Sequence, residues 1–477
     1  MNDRSSEPAE RRSWLRRLLN RAEVDQAVFY ALAARIWQLL AGPVTLVLIA
    51  WYFTPQTQGY YYTFWSLVAL QTFFELSFPQ VIINFASHEW ERLSFNDEGG
   101  VEGDAGALSR LSSLLRLSLV WYGAAAVLFV IIVTAAGLVF FSYGTFSDTV
   151  VWRAPWCTLV VLTAITFATI PCLALLEGCN QVKSVYKLQL VQAIAGNLVV
   201  WIAIPLGAGL WTLGLSVFVR LAAEVLLVAG PYRRFFRDLL QRRSGPAIGW
   251  REEVWPFQWR LAIKAVVAYF NTYFINLVVF GYHGEVVAGR FGMTWQVLTS
   301  LNSACTAWVR TRAARFGMLV ARQDYRELDR IYFRLTTIAV VALTIVSAAF
   351  CVFDIALYES GSRFATRLLP PGPTIVFAIG TTLALVSSCQ WIYIHAHKKS
   401  PYLFLTVLGS FITGGLIWTL GRSHGVLGAA VAYTGVMALY YLPLWTWVWH
   451  RCRTEWHVLR PEVTTDDLPA SSQDGWR

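Results

Sequence analysis

Charge is scarce in this chain: only 14% of its 477 residues are Asp, Glu, Lys or Arg, against about 25% in a soluble domain. That shortage, with 56% hydrophobic residues and a mean hydropathy of +0.48, excludes an ordinary soluble enzyme. Seven cysteines (157, 172, 179, 305, 351, 389 and 452) form no Cys-x-x-Cys or Cys/His spacing. Most sit in apolar runs, where Cys behaves as a small hydrophobe, so the pattern gives neither a metal site nor a disulfide framework. No cofactor is expected. No cleavable leader is expected either, because residues 1–22 are too polar and the first apolar stretch is too long for an h-region.

What the chain does have is apolar length. A hydrocarbon core of about 30 Å needs roughly 20 apolar residues per helix. Candidate spans fall near 27–53, 59–86, 113–141, 152–177, 188–206, 210–230, 254–280, 286–309, 332–357, 369–395, 402–420 and 425–449. They leave no soluble domain of useful size. The net charge of +10 would suggest nucleic acid on a single soluble face. Here the cations lie in loops, and no nucleic-acid partner is expected. With the N-terminal tail taken as cytoplasmic, 28 of the 39 Lys and Arg fall in loops on that side and four (Arg153, Arg363, Arg367 and Arg422) on the other. The asymmetry obeys the positive-inside rule and predicts both termini in the cytoplasm. In the tail, Trp14, Leu15, Leu18 and Leu19 share a helical face beside Arg11, Arg12, Arg16, Arg17 and Arg21. Such a segment either lies on the inner leaflet or is a solvated basic tail.

The expected organisation is a basic tail (1–26), a six-helix lobe (27–230), a basic cytoplasmic linker (231–253), a second six-helix lobe (254–450) and a tail (451–477). The halves echo each other. Gly59-Tyr60-Tyr61-Tyr62-Thr63-Phe64-Trp65 and Gly289-Arg290-Phe291-Gly292-Met293-Thr294-Trp295 both place an aromatic two residues and a Trp six residues after Gly. Gly209-Leu210-Trp211-Thr212 and Gly425-Val426-Leu427-Gly428 precede the sixth and twelfth spans. Two halves of six spans insert in the same orientation, with a cavity between them. The external segments Thr54–Gln58, Pro205–Gly209 and Gly281–Glu285 are very short. That counts against an intramembrane glycan polymerase or transferase, which needs a large external loop with catalytic carboxylates or His, and no enzyme activity is expected.

Phe53-Thr54-Pro55-Gln56-Thr57-Gln58-Gly59-Tyr60-Tyr61 resembles the first external turn of the polysaccharide flippases that export O-antigen and exopolysaccharide repeat units, with Gln56 and Thr57 where that family commonly has an acid. Leu175-Leu176-Glu177-Gly178 with Lys183 and Lys187 is similar to the family's junction between spans four and five. Gly425-Val426-Leu427-Gly428-Ala429-Ala430-Val431-Ala432 looks like its entry into the last helix. The resemblance covers residues 27–450 and extends to the whole superfamily of multidrug, oligosaccharidyl-lipid and polysaccharide exporters. It implies an all-α, two-lobed, V-shaped transporter of the bacterial inner membrane that works by alternating access. The implied cargo is an undecaprenyl-pyrophosphate-linked oligosaccharide moved to the outer leaflet. Membrane lipids, and a polymerase and glycosyltransferases of the same pathway, are the implied partners.

Ionisable residues inside the spans cost roughly 2.5–3.5 kcal/mol at a helix centre. Arg35 lies about 12 Å into the first span, Arg260 and Lys264 about 9 and 15 Å into the seventh, and Arg290 about 6 Å into the eighth. Cations from equivalent spans of two lobes would grip a pyrophosphate, Arg bidentately and Lys as a point charge. The competing reading for Arg35, Arg260 and Arg290 is snorkelling. Glu75 in the second span either pairs with Arg35, couples to a proton or cation, or meets sugar hydroxyls. Arg220 and Glu224, four residues apart on the sixth span, are expected to neutralise each other. Asn271, Asn276 and Asn302 read first as helix–helix contacts, with sugar hydroxyls as the alternative, and His395 and His397 as interfacial, with a pH role as the alternative. A multidrug/cation antiporter of the same superfamily is the alternative function. The cationic balance inside the spans favours an anionic cargo over it. A membrane scaffold would not need cations at midplane depth.

Overall fold

The computed structural model describes residues 26–96, 98–142, 150–241, 245–397 and 401–457, and of residues 257, 260, 264 and 268 the backbone alone. The expected tail helix around Trp14–Leu19, Arg242 and Arg243 of the linker, and residues 458–477 lie outside that range. Among the described residues nine helices are long and apolar enough to cross a membrane, or ten when the bent pair Pro55–Glu75 and Phe78–Trp90 counts as one. Two of these are too long for one crossing: Leu261–Ala321 has 61 residues and Leu403–Trp456 has 54. Each breaks at a glycine in left-handed backbone, Gly284 (φ 83°) and Gly425 (φ 66°). Divided there, the helices make the twelve crossings that hydropathy predicts. The protein is an all-α polytopic membrane protein, with one small hairpin among the described residues.

Helix α1 (Gln26–Tyr52) runs from the near face of the bundle, where the described chain starts, to the far face. The return crossing is broken into α2 (Pro55–Val68), α3 (Gln71–Glu75) and α4 (Phe78–Trp90). Thr54 caps α2 by accepting the Thr57 N–H at 3.1 Å, and Pro55 fills the first helical turn, where its missing N–H costs nothing. Leu76 and Ser77 are both left-handed (φ 49° and 54°) just before Pro79, which cannot donate to the preceding turn. The result is a 43° bend.

At the near face β1 (Leu93–Phe95) pairs antiparallel with β2 (Val101–Gly103). The crossings continue with α5 (Ala105–Ser142), α6 (Arg153–Thr166) with α7 (Ile170–Gly178), α8 (Val182–Ala203) and α9 (Trp211–Ala229). The linker is partly built: α10 (Arg233–Leu240) buries Phe235, Phe236 and Leu239, and Phe235 meets Trp90 and Phe95 of the hairpin region. Its cations stay outside, as an amphipathic helix requires.

The second half comprises α11 (Trp255–Thr272), α12 (Phe274–Arg310), the short near-face helix α13 (Ala313–Ala321), α14 (Tyr325–Glu359), α15 (Pro371–Ala396), α16 (Leu403–Val436) and α17 (Leu442–Trp456). Helices before residue 231 pack mainly on one another, α1 on α8 and α8 on α9; those after 254 do likewise, α12 on α14, α15 and α16. The halves meet chiefly where α2 crosses α12. There Gln58 Nε2 donates to the Gly289 carbonyl at 2.8 Å, and Asn276 Nδ2 donates to Thr63 Oγ1 at 3.1 Å. A second link lies at the near face. Arg110 donates to Glu89 and to Glu253, each at 2.7 Å, joining α4 and α5 to the entry of α11.

Candidate substrate cavity

A cavity of about 940 Å³ lies between α1, α2, α8, α9 and α12, with Ser388 of α15 at its edge. It reaches the near face at Arg310 and Thr311. At the far end Ile49 and Tyr62 form its ceiling and belong to an apolar plug with Phe53, Met293 and Leu368. The protein is therefore caught open toward the near face and closed toward the far one.

The wall is polar along α8, α9 and α12, with Gln192, Asn197, Ser216, Gln296 and Asn302, and aromatic on α2, with Tyr61, Tyr62 and Trp65. Three arginines line it, Arg35 on α1, Arg220 on α9 and Arg310 on α12, and among the described lining residues none is acidic. All three are exposed to the cavity or its mouth, and none forms an ion pair among the described residues. Such an array offers planar donors and positive charge not tied up in close ion pairs, the chemistry that recognises phosphate or carboxylate.

The positions singled out in the sequence fall differently. Arg35 is in the cavity. Arg260 and Lys264 lie on α11, but their side chains are outside the described residues. Arg290 does not line the cavity: its Nε donates to the Thr366 carbonyl at 2.9 Å, tying α12 to the far-face loop before α15. Glu75 does not pair with Arg35. It sits at the end of α3, bonded to Gln71 and facing the charge of Arg220, with Oε1 buried and without a hydrogen-bond partner.

The Arg220–Glu224 pair also fails to form. Glu224 is 5% exposed and takes its hydrogen bonds from neutral donors, Thr169 Oγ1 on one oxygen and Gln192 Nε2 on the other at 2.9 Å. Those bonds leave the Arg220 guanidinium to the cavity. Arg310 carried no signal of its own, being one of many cations in a basic loop; only its position at the end of the eighth span marks it. The asparagines bridge helices: Asn271 donates to Ser410 Oγ at 2.9 Å, and Asn302 to the Thr381 carbonyl at 2.7 Å.

No protein-family model matches the chain, and no curated protein does. Solved structures do. The lipid II flippase MurJ in an inward closed conformation matches at TM-score 0.62 with 15% identity, over 88% of this chain and 87% of that one. The multidrug transporter DinF-BH of the MATE type matches at TM-score 0.57 with 13% identity, over 90% and 95%. An inward-facing MATE transporter of the MOP superfamily matches at 0.53, again with 13% identity. The likeness is one of fold, and it spans nearly the whole chain.

Proposed function

We propose that this protein is a transporter that flips an undecaprenyl-pyrophosphate-linked oligosaccharide from the inner to the outer leaflet of a bacterial inner membrane, for polysaccharide biosynthesis. The near face is then cytoplasmic, and the two halves are six-helix lobes that rock about the cargo. The observation that carries this reading is the cavity's charge, three arginines with no acid among the described lining residues. A diphosphate seated there would take charge-assisted hydrogen bonds of about 1.5–3 kcal/mol each. Arg260 and Lys264 on α11 are proposed to add to this set, and Glu75 to be the internal counter-charge that Arg220 faces before cargo arrives. The lipid chain stays in the bilayer beside α1, whose Ile36, Leu40 and Val44 are exposed without lining the cavity. A pathway polymerase and glycosyltransferases would stand on either side of the transport step.

The second reading is a multidrug or cation antiporter. It is favoured by the fold shared with DinF-BH and by the aromatic wall of Tyr61, Tyr62 and Trp65. Binding by the purified protein in nanodiscs separates the two. A short polyprenyl pyrophosphate should bind and rhodamine 6G should not displace it. Tight dye binding with no pyrophosphate binding would reverse the assignment.

A further inference from the structure

Arg310 borders more than the cavity. A second concavity of about 390 Å³ adjoins it at the near face, lined by Arg310, Ala313, Trp391, Ile392, His395 and Ala396. Arg310 lines both spaces, and α15 runs from one to the other. Ser388 faces the cavity, while Trp391 and His395, three and seven residues on, follow on the same helical stripe and face the second space. The rings of Trp391 and His395 are stacked, with centroids 3.9 Å apart and planes 28° apart, and His395 Nδ1 is 3.0 Å from the Trp391 carbonyl oxygen. Trp391 is thereby held in one orientation and still 40% exposed.

We propose that this concavity is a glycosyl subsite, in which the sugar nearest the pyrophosphate rests its C–H face on Trp391 while the phosphates stay on the cavity arginines. The inference rests on the reading of the cargo as a lipid-linked glycan. A pyranose ring has one face of C–H bonds and a rim of hydroxyls. The indole face opposite His395 attracts the first through its negative quadrupole, and Arg310 at the border has donors for the second. An acyl chain is a poorer occupant, since the space is rimmed by a guanidinium and an imidazole. A purely interfacial Trp is a poorer account too, because Trp391 lines a concavity that shares Arg310 with the arginine cavity, unlike the exposed Trp418, which packs against Phe274 and Tyr282.

The test compares two probes, farnesyl pyrophosphate and farnesyl-pyrophosphoryl-N-acetylglucosamine, binding to the full-length protein. Wild type should bind the glycosylated probe roughly three- to tenfold more tightly, the worth of one aromatic contact. Trp391→Ala should lose that preference while holding farnesyl pyrophosphate within about twofold, and Trp391→Phe should keep part of it; Trp418→Ala should behave as wild type. Equal binding of both probes by wild type, or an undiminished preference in well-folded Trp391→Ala, would overturn the subsite and leave the cargo reading standing. Failure of wild type to bind either probe would overturn both.

Discussion

Gly59 and Gly289 meet backbone to backbone where α2 crosses α12. A Cβ on Gly289 would lie 2.8 Å from the Gly59 nitrogen, and one on Gly59 would lie 1.9 Å from the Glu285 carbonyl oxygen. Two residues with side chains cannot occupy this crossing, and it closes the far end of the cavity. Gly289→Val should therefore cost about 1–3 kcal/mol of packing and pry the far end open. Labelling of Met293→Cys by a membrane-impermeant maleimide added from the far side should rise in the Gly289→Val background. Unchanged labelling with an unchanged melting temperature would contradict the crossing as drawn.

Glu224 and Arg220 should separate in their effects. Glu224→Ala removes an acceptor of Thr169 and Gln192; Thr169 keeps the Thr166 carbonyl and Gln192 the Arg220 carbonyl, so one Gln192 N–H is left unpaired at about 1–3 kcal/mol, which should lower thermal stability. Arg220→Gln should leave stability near wild type and weaken pyrophosphate binding about tenfold or more. Thermal unfolding beside binding of a polyprenyl pyrophosphate reads both. Equal destabilisation by the two variants would mean that they form an ion pair after all.

Much of this fold can be read in the sequence. Hydropathy marks the spans; the Gly59 and Gly289 echoes read as a repeat of the halves and carry no sign that their two helices cross. Gly425, read as the entry to the last span, is where the long helix breaks. Arg35 stood out because a cation deep in an apolar run has few uses. The local rules failed where the partner was distant. The four-residue spacing of Arg220 and Glu224 suggested a pair, but Thr169 and Gln192, 55 and 32 residues from Glu224, satisfy it instead. Arg290 fell to Thr366, 76 residues away, for the same reason. The hairpin escaped notice because its strands have three residues each and no repeating apolar alternation.

The near-face clamp should be sensitive to acid. Arg110, with the Gly249 N–H, holds the Glu253 carboxyl below its ordinary value. A carboxyl whose folded value is depressed contributes stability above its unfolded value and loses it as pH falls through the folded one. The clamp should thus be intact at neutral pH and loosen only below the usual carboxylate range. Amide exchange at residues 249–254, normalised for intrinsic rate, should rise on acidification in wild type. In Glu253→Gln it should be elevated and flat with pH. A Glu253→Gln profile that follows wild type would show that this pair is not the pH-sensitive element.

Guanidinium geometry should matter at Arg35. A planar fork bonds a phosphate through two parallel N–H groups, which an ammonium cannot reproduce. Arg35→Lys should lose more transport than Lys264→Arg, and Lys264→Gln should retain almost none. The measurement is glycan export by cells expressing each variant at matched membrane levels. Equal export by wild type, Arg35→Lys and Lys264→Gln would show that these cations merely snorkel.

The most direct measurement is the flipping of a fluorescently labelled undecaprenyl-pyrophosphate-linked oligosaccharide in proteoliposomes, read by quencher accessibility, for wild type and for the Arg35→Ala/Arg220→Ala double variant. The account predicts protein-dependent flipping by wild type and a fall of at least about tenfold in the double variant, with its melting temperature retained. Flipping by the double variant at the wild-type rate would contradict the assignment of the cavity arginines to the anionic head group.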